Sequence, residues 1–267
     1  MPRTAARATR GLPSKVGLAL ETTDDKNEIV QRLTTQLNLA ARLRASAGAN
    51  PQTADRRQWL RTWQADRLAR THADLLASAR FGPAAAFFLT DIYSANDVGG
   101  RDQALDRVVP LMSRLLPVSG LTTVVDAIEL DALSEDLDAA MVEALGQRIK
   151  TIDAAAYGNA YRKVDRRKDR ERQIHLIQHL GQSLDRLASK RFVGTTLALA
   201  RKPARLAGFG DLQEFAERGY NACRQTGSVD EFMKLVVSRE QRILEALFAG
   251  DDSVLREGPA PSPAAAT

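Results

Sequence analysis

Apolar residues recur every three or four positions along almost the whole of this chain, and nowhere do they alternate over the length of a strand. That spacing gathers one apolar stripe on each of a series of helices, and each stripe has to be buried against another helix. The chain is therefore expected to be all-α. The breaks between stripes are short, so the expected architecture is a compact bundle of roughly ten helices with mostly antiparallel neighbours.

The stripes can be followed in order. Asp24 or Asp25 caps a helix carrying Ile29, Leu33, Leu37, Ala40 and Leu43, which stops at Gly48–Pro51. One long helix is expected from Thr53 to Ala79, and Pro83 then suits the first turn of the next. After Gly99–Gly100 a helix through Leu105 to Leu116 is kinked at Pro110. Separate helices follow over Leu121–Ile128 and, capped by Ser134, as far as Leu145. Further segments run over Ile152–Val164, Arg166–Lys190 and Phe192–Ala200, and Pro203, Gly208 and Gly210 punctuate the stretch after the last. Asp211 with Glu214, and Ser228 with Glu231, have the spacing of a capping box, so each pair predicts a helix start. The domain is expected over residues 24–250, with a candidate seam between two helical halves near residue 150. Residues 1–23 read as a disordered basic tail and 251–267 as a disordered Pro/Ala tail. No fixed period repeats, which argues against a solenoid.

Composition narrows the function classes. Lys and Arg number 38 against 33 Asp and Glu, a net charge of +5, and part of that excess sits in Arg3, Arg7, Arg10 and Lys15 ahead of the first acid. The body is close to neutral, which weakens a general case for nucleic acid. One cysteine, Cys223, excludes a disulfide framework or CxxC motif and suits a reducing, cytoplasmic setting. No apolar run reaches the roughly 18–20 residues of a membrane span.

Two blocks carry a resemblance. The first is Phe87-Phe88-Leu89-Thr90-Asp91-Ile92-Tyr93 with Asp97, Arg101-Asp102 and Pro110. The second is Phe192-Val193-Gly194 with Thr196-Leu197, Arg201, Pro203-Ala204, Ala207-Gly208, Leu212 and Phe215. Together they resemble an uncharacterised bacterial all-helical family and place about Asp55 to Gly250 within it. Ser94 stands where that pattern has glycine. The resemblance implies a helical single-unit fold and no activity, cofactor or catalytic residue.

Candidate sites are few. Trp59, Trp63, Phe87, Phe88 and Tyr93 form the densest aromatic stretch, and His72 lies in the stripe Leu68, His72, Leu75, Leu76. These six are the candidate lining of an apolar ligand or haem pocket, against the commoner outcome of a helix–helix core and a hydrogen-bonded histidine. His175 and His179 share a helix face, but Leu176 stands where a zincin needs its glutamate; both histidines are expected on the solvated side, opposite Ile174, Ile177, Leu184 and Leu187. No Glu-x-x-His pair of a di-iron bundle occurs. Arg166, Arg167, Lys168 and Arg172 are the candidate nucleic-acid or anion residues, although Asp165, Asp169 and Glu171 are interspersed to pair with them. Gly208-Phe209-Gly210-Asp211 is a turn and cap rather than a dinucleotide loop, and Cys223 reads as a small core residue.

No metal site, cofactor motif or catalytic cluster is legible, so an enzyme is not the expectation. The expected function is a non-enzymatic helical interaction or scaffold protein whose partner is a second copy or another protein. An apolar or haem ligand near Trp59–Tyr93 is the first alternative, and weak nucleic-acid binding through Arg162–Arg172 the second. A membrane is not an expected partner.

Overall fold

A computed structural model describes residues 15–48, 51–89, 109–110, 113, 118–206, 210–227, 229–256 and 258. Among them there is no strand, and ten α-helices follow one another. They are α1 (Lys15–Gly48), α2 (Pro51–Thr71), α3 (Ala73–Ala77), α4 (Gly82–Phe87), α5 (Val118–Leu145), α6 (Ala154–Val164), α7 (Arg167–Ala188), α8 (Arg191–Leu206), α9 (Gly210–Thr226) and α10 (Val229–Ala249). Short 3-10 turns cover Gly146–Thr151 and Ser253–Leu255.

Several starts and stops fall where local chemistry puts them. Asp153 caps α6 through its carboxylate, which accepts from the Ala156 amide at 2.7 Å. Asp165 closes the same helix in the left-handed region, φ 50°. Pro83 sits in the first turn of α4, and α10 begins at Val229, directly after Ser228, a position outside the described residues.

Other boundaries move. α1 already starts at Lys15, so Asp24 and Asp25 lie inside it, and part of the expected basic tail is helical. Extending a formed helix is cheaper than nucleating a new one, and nothing between Leu18 and Asp25 halts it. The single helix expected from Thr53 to Ala79 is broken at His72 into α2 and α3. Conversely, α5 is continuous where two helices were expected. Ser134 does not cap a new one; its hydroxyl donates back to the Leu130 carbonyl at 2.7 Å. α8 continues through Pro203, which deprives the Leu199 carbonyl of its intrahelical donor, on an outer face where Leu199 is 75% exposed.

The C-terminal boundary also shifts. Asp251–Arg256 is not a loose tail: Val254 and Leu255 are buried against α6 and α10. Arg162 holds that segment, donating to Asp252 Oδ1 at 2.7 Å and to the Leu247 carbonyl at 2.8 Å.

Apolar burial is divided between two principal clusters. One gathers Leu75, Ala84, Phe87, Phe88, Leu176, Cys223, Phe232 and Met233 from α3, α4, α7, α9 and α10. The other gathers Leu60, Met141, Leu145, Tyr157, Tyr161, Ile243 and Leu247 from α2, α5, α6 and α10. Neither cluster follows a seam near residue 150, because α5 and α10 run through both. A smaller cluster of Leu33, Leu37 and Val125 seats α1 along α5.

Candidate functional site

The space between the two apolar clusters is charged. Along the buried face of α10, Met233 and Val237 belong to the first cluster and Ile243 and Leu247 to the second, with Glu240 between them. α5 repeats the pattern: Leu130 on one side, Met141 and Leu145 on the other, Glu135 and Asp138 in the middle. α2 contributes Arg57, Arg61, Gln64 and Arg67, and α7 contributes Arg170 and Gln173. A layer of ionisable and amide side chains therefore lies between two oily clusters.

The pairing in this layer is dense. Arg57 and Arg61 each donate to one oxygen of Glu135, and Arg57 also reaches the Glu135 carbonyl at 3.1 Å. Asp138 accepts from Arg61 Nε at 3.3 Å and Gln64 Nε2 at 3.1 Å, one on each oxygen. Arg67 Nη1 donates to both oxygens of Glu240, at 2.6 and 2.7 Å, and His72 Nε2 lies 3.0 Å from Glu240 Oε1. The preceding residue on α10, Arg239, grips the α2–α3 break through Asp74 at 2.7 Å and the Thr71 carbonyl at 3.1 Å.

Burial and pairing set the acids apart. Burial alone would raise the Glu240 carboxyl, but Arg67 and His72 outweigh it and hold it at about 2. At Asp138 burial wins over Arg61 and Arg170, and the carboxyl lies above its ordinary range. Burial likewise pushes the Tyr161 hydroxyl upward, against the nearby Arg170.

The layer is not fully filled. A cavity of about 150 Å³ opens within it, lined by Arg61, Gln64, Asp138, Tyr161, Arg170 and Gln173 among others. Ala127 and Arg61, which also line it, reach solvent and mark its mouth between α2 and α5. Among the described residues no cluster of three or more His, Cys, Asp or Glu side chains is arranged to hold a metal ion.

The residues singled out from sequence do not converge here. Trp59 is 39% exposed, with the Lys150 ammonium 5.3 Å from its ring centre. Trp63 stacks on Tyr157, ring centres 4.2 Å apart, and belongs to the second cluster. Phe87 and Phe88 are buried in the first, Phe88 against Phe232 at 5.5 Å. His72 is buried, as its stripe implied, and joins the charged layer through Glu240 rather than facing those phenylalanines. Tyr93 lies outside the described residues.

The basic run is largely paired. Arg166 meets Asp136 at 2.5 Å and Asp169 at 2.6 Å, Arg167 meets Glu171 at 2.9 Å, and Arg172 meets Glu129 at 2.7 Å, while Lys168 is exposed. The histidine face needs correction. The buried side of α7 centres on Leu176, Ile177, Leu180 and Gly181, so only His175 is fully on the solvent side. His179 sits at the edge, its Nδ1 2.6 Å from the buried Asp126 carboxylate. Cys223 is a core residue whose thiol burial pushes up to about 11.

Sequence reading passed over the charged layer, although one signal for it exists. In the α10 stripe Met233, Val237, Glu240, Leu244, Leu247 a carboxylate occupies a core position, and Glu135 with Asp138 does the same in α5.

Residues 43–254 match a family described as a domain of unknown function (DUF8198). The chain belongs to this family. The match contains Asp55 to Gly250, the span that the two sequence blocks placed in a helical family, and it covers the charged layer and, except for Leu255, both flanking clusters. No curated protein and no solved structure matches the chain. No described helix is long and apolar enough to cross a membrane.

Proposed function

We propose that this protein is a helical small-molecule receptor whose ligand occupies the polar chamber between α2, α5, α6, α7 and α10. Its support is the charged layer itself. Moving each ion out of water costs several kcal/mol, and buried ion pairs can often be replaced by apolar side chains with no loss of stability. A bundle that needed only to fold would gain by closing the layer with leucine. Keeping guanidinium, carboxylate, amide and phenol groups around an open space is the arrangement of a binding site. A buried ligand also fits a helical domain in which no catalytic motif is legible from sequence.

Native mass spectrometry of the full chain tests this, followed by thermal unfolding with candidate polar metabolites. A small retained mass is expected, and the matching compound at a hundredfold excess over its dissociation constant should stabilise the fold by about 2.7 kcal/mol. Bare chain in the spectrometer, with no shift from any polar compound at millimolar concentration, would refute the receptor reading.

A second reading keeps the interaction role. Leu199 at 75% and Trp59 at 39% are the most exposed large apolar side chains among the described residues, on α8 and α2. Such side chains favour docking of a partner helix or a second copy. Light scattering of the natural chain against a Trp59→Ser, Leu199→Ser variant distinguishes a self-associating protein from a monomer.

A further inference from the structure

The guanidiniums of the charged layer are not equally satisfied. Arg57 and Arg61 have Glu135, Arg61 also has Asp138, and Arg67 has Glu240. Arg170 makes no salt bridge, although the Asp138 carboxylate lies close enough to feel its charge. Arg170 is 8% exposed, its Nη1 donates only to the neutral amide of Gln173 at 3.3 Å, and its Nη2 makes no hydrogen bond. Its flat face rests on the Tyr161 ring, 4.8 Å from the centre, which fixes the plane of the guanidinium beside the chamber that both residues line.

The paired acids around it are all engaged by other side chains. Both oxygens of Glu135 are taken by Arg57 and Arg61, both of Asp138 by Arg61 and Gln64, and both of Glu240 by Arg67, with His72 on one of them. What Arg170 lacks is an acceptor for its buried Nη2, and a planar fork of donors is matched by a planar pair of oxygens. Resting on the receptor reading above, we propose that the chamber takes a small organic carboxylate whose oxygens are received by the Arg170 guanidinium.

Size and charge narrow the class. A space of about 150 Å³ holds a molecule of roughly benzene's bulk, which favours a ligand of a few carbons over a nucleotide. Asp131, Glu135, Asp138 and Glu240 all line the same chamber, and this number of acids disfavours a doubly ionised phosphate more than a singly charged carboxylate. Gln173, whose Nε2 donates to the Ser134 hydroxyl at 2.8 Å, has a second N–H for a ligand keto oxygen and a carbonyl lone pair for a ligand hydroxyl beside the carboxylate. A short hydroxy acid or keto acid meets these demands.

The test titrates the full chain by calorimetry and thermal unfolding with lactate, pyruvate, lactamide, propylamine and inorganic phosphate at constant ionic strength. Lactate or pyruvate is expected to bind and to raise the unfolding temperature, while lactamide, propylamine and a chloride control leave it unchanged. Arg170→Gln should weaken carboxylate binding by about tenfold to a hundredfold, the range for one charge-assisted contact. Arg170→Lys keeps the charge without the fork and should weaken it less, so the inference stays testable if the glutamine variant does not fold. Lys234→Gln, exposed on α10 and paired with Asp230, should bind as the natural chain does. Binding of phosphate or of the neutral or cationic probes in place of the carboxylates overturns the carboxylate assignment and leaves the receptor standing. Carboxylate binding unaffected by either Arg170 variant overturns the role of Arg170. Absence of binding by every probe together with a bare native mass overturns both.

Discussion

Glu240 and Asp138 line the same buried chamber and respond to pH in opposite senses. Arg67 and His72 hold the Glu240 carboxyl at about 2 against an ordinary 4.5, so its ionised form favours the folded chain. Its contribution is complete above 4.5 and is lost as the pH falls toward 2. A displacement of that size is worth on the order of 3 kcal/mol. Burial lifts Asp138 above its ordinary 3.8, so ionising it opposes folding as the pH rises through that range. Glu240→Gln is expected to lose about 3–5 kcal/mol at neutral pH, because Arg67 is left buried without its counter-ion. The same variant should lose the dependence between about pH 5 and pH 2. Asp138→Asn, which keeps the shape and removes a charge that burial already disfavours, should cost no more than about 1.5 kcal/mol. Urea unfolding across that pH range checks all three outcomes, and an unchanged acid slope in Glu240→Gln would show that another group carries it.

At the level of elements, the end of the chain is locked to α6. Gly158 lets the Asp252 carboxylate approach so closely that a Cβ added at this glycine would fall on it. One turn on, Arg162 receives that carboxylate, and beyond it Val254 and Leu255 close the second apolar cluster. Burying a side chain of that kind contributes about 1.5–3 kcal/mol. Ending the chain after Gly250 is therefore expected to cost about 3–6 kcal/mol while leaving most helical content in place, as urea unfolding and far-ultraviolet dichroism would report. A truncated chain with an unshifted midpoint would mean that the segment packs without stabilising. The proline and alanine composition of the C-terminal stretch pointed to a loose tail, and Val254 and Leu255 carry too short a pattern to betray a docking site.

For the whole molecule, the arrangement is two apolar clusters with a charged layer between them. Replacing Arg57 by Met and Arg61, Glu135 and Asp138 by Leu together is expected to hold stability level or raise it by about 1–4 kcal/mol. The same replacement should abolish any ligand-dependent rise in unfolding temperature; a rise that survives would place the ligand elsewhere. Much of this architecture was legible beforehand. Helix class followed from a three-to-four spacing that each segment carries within itself, as did the breaks at Gly48–Pro51 and Pro83 and the burial of His72 and Cys223. Glu135, Glu240 and Arg170 were different. Each could have stood on a solvated face, since a helix shows its period without showing which side its neighbour will take. Rotation of α7 by part of a turn would expose Leu176 and bury His175 with the same sequence pattern. What settles that rotation is packing between residues far apart in the chain, such as Gly181 of α7 against Met233 of α10. The sequence by itself determined that this chain would be helical and where most helices end, because those are local properties of backbone and stripe. Only the tertiary structure decided that charge lies inside, because burial is a relation between helices.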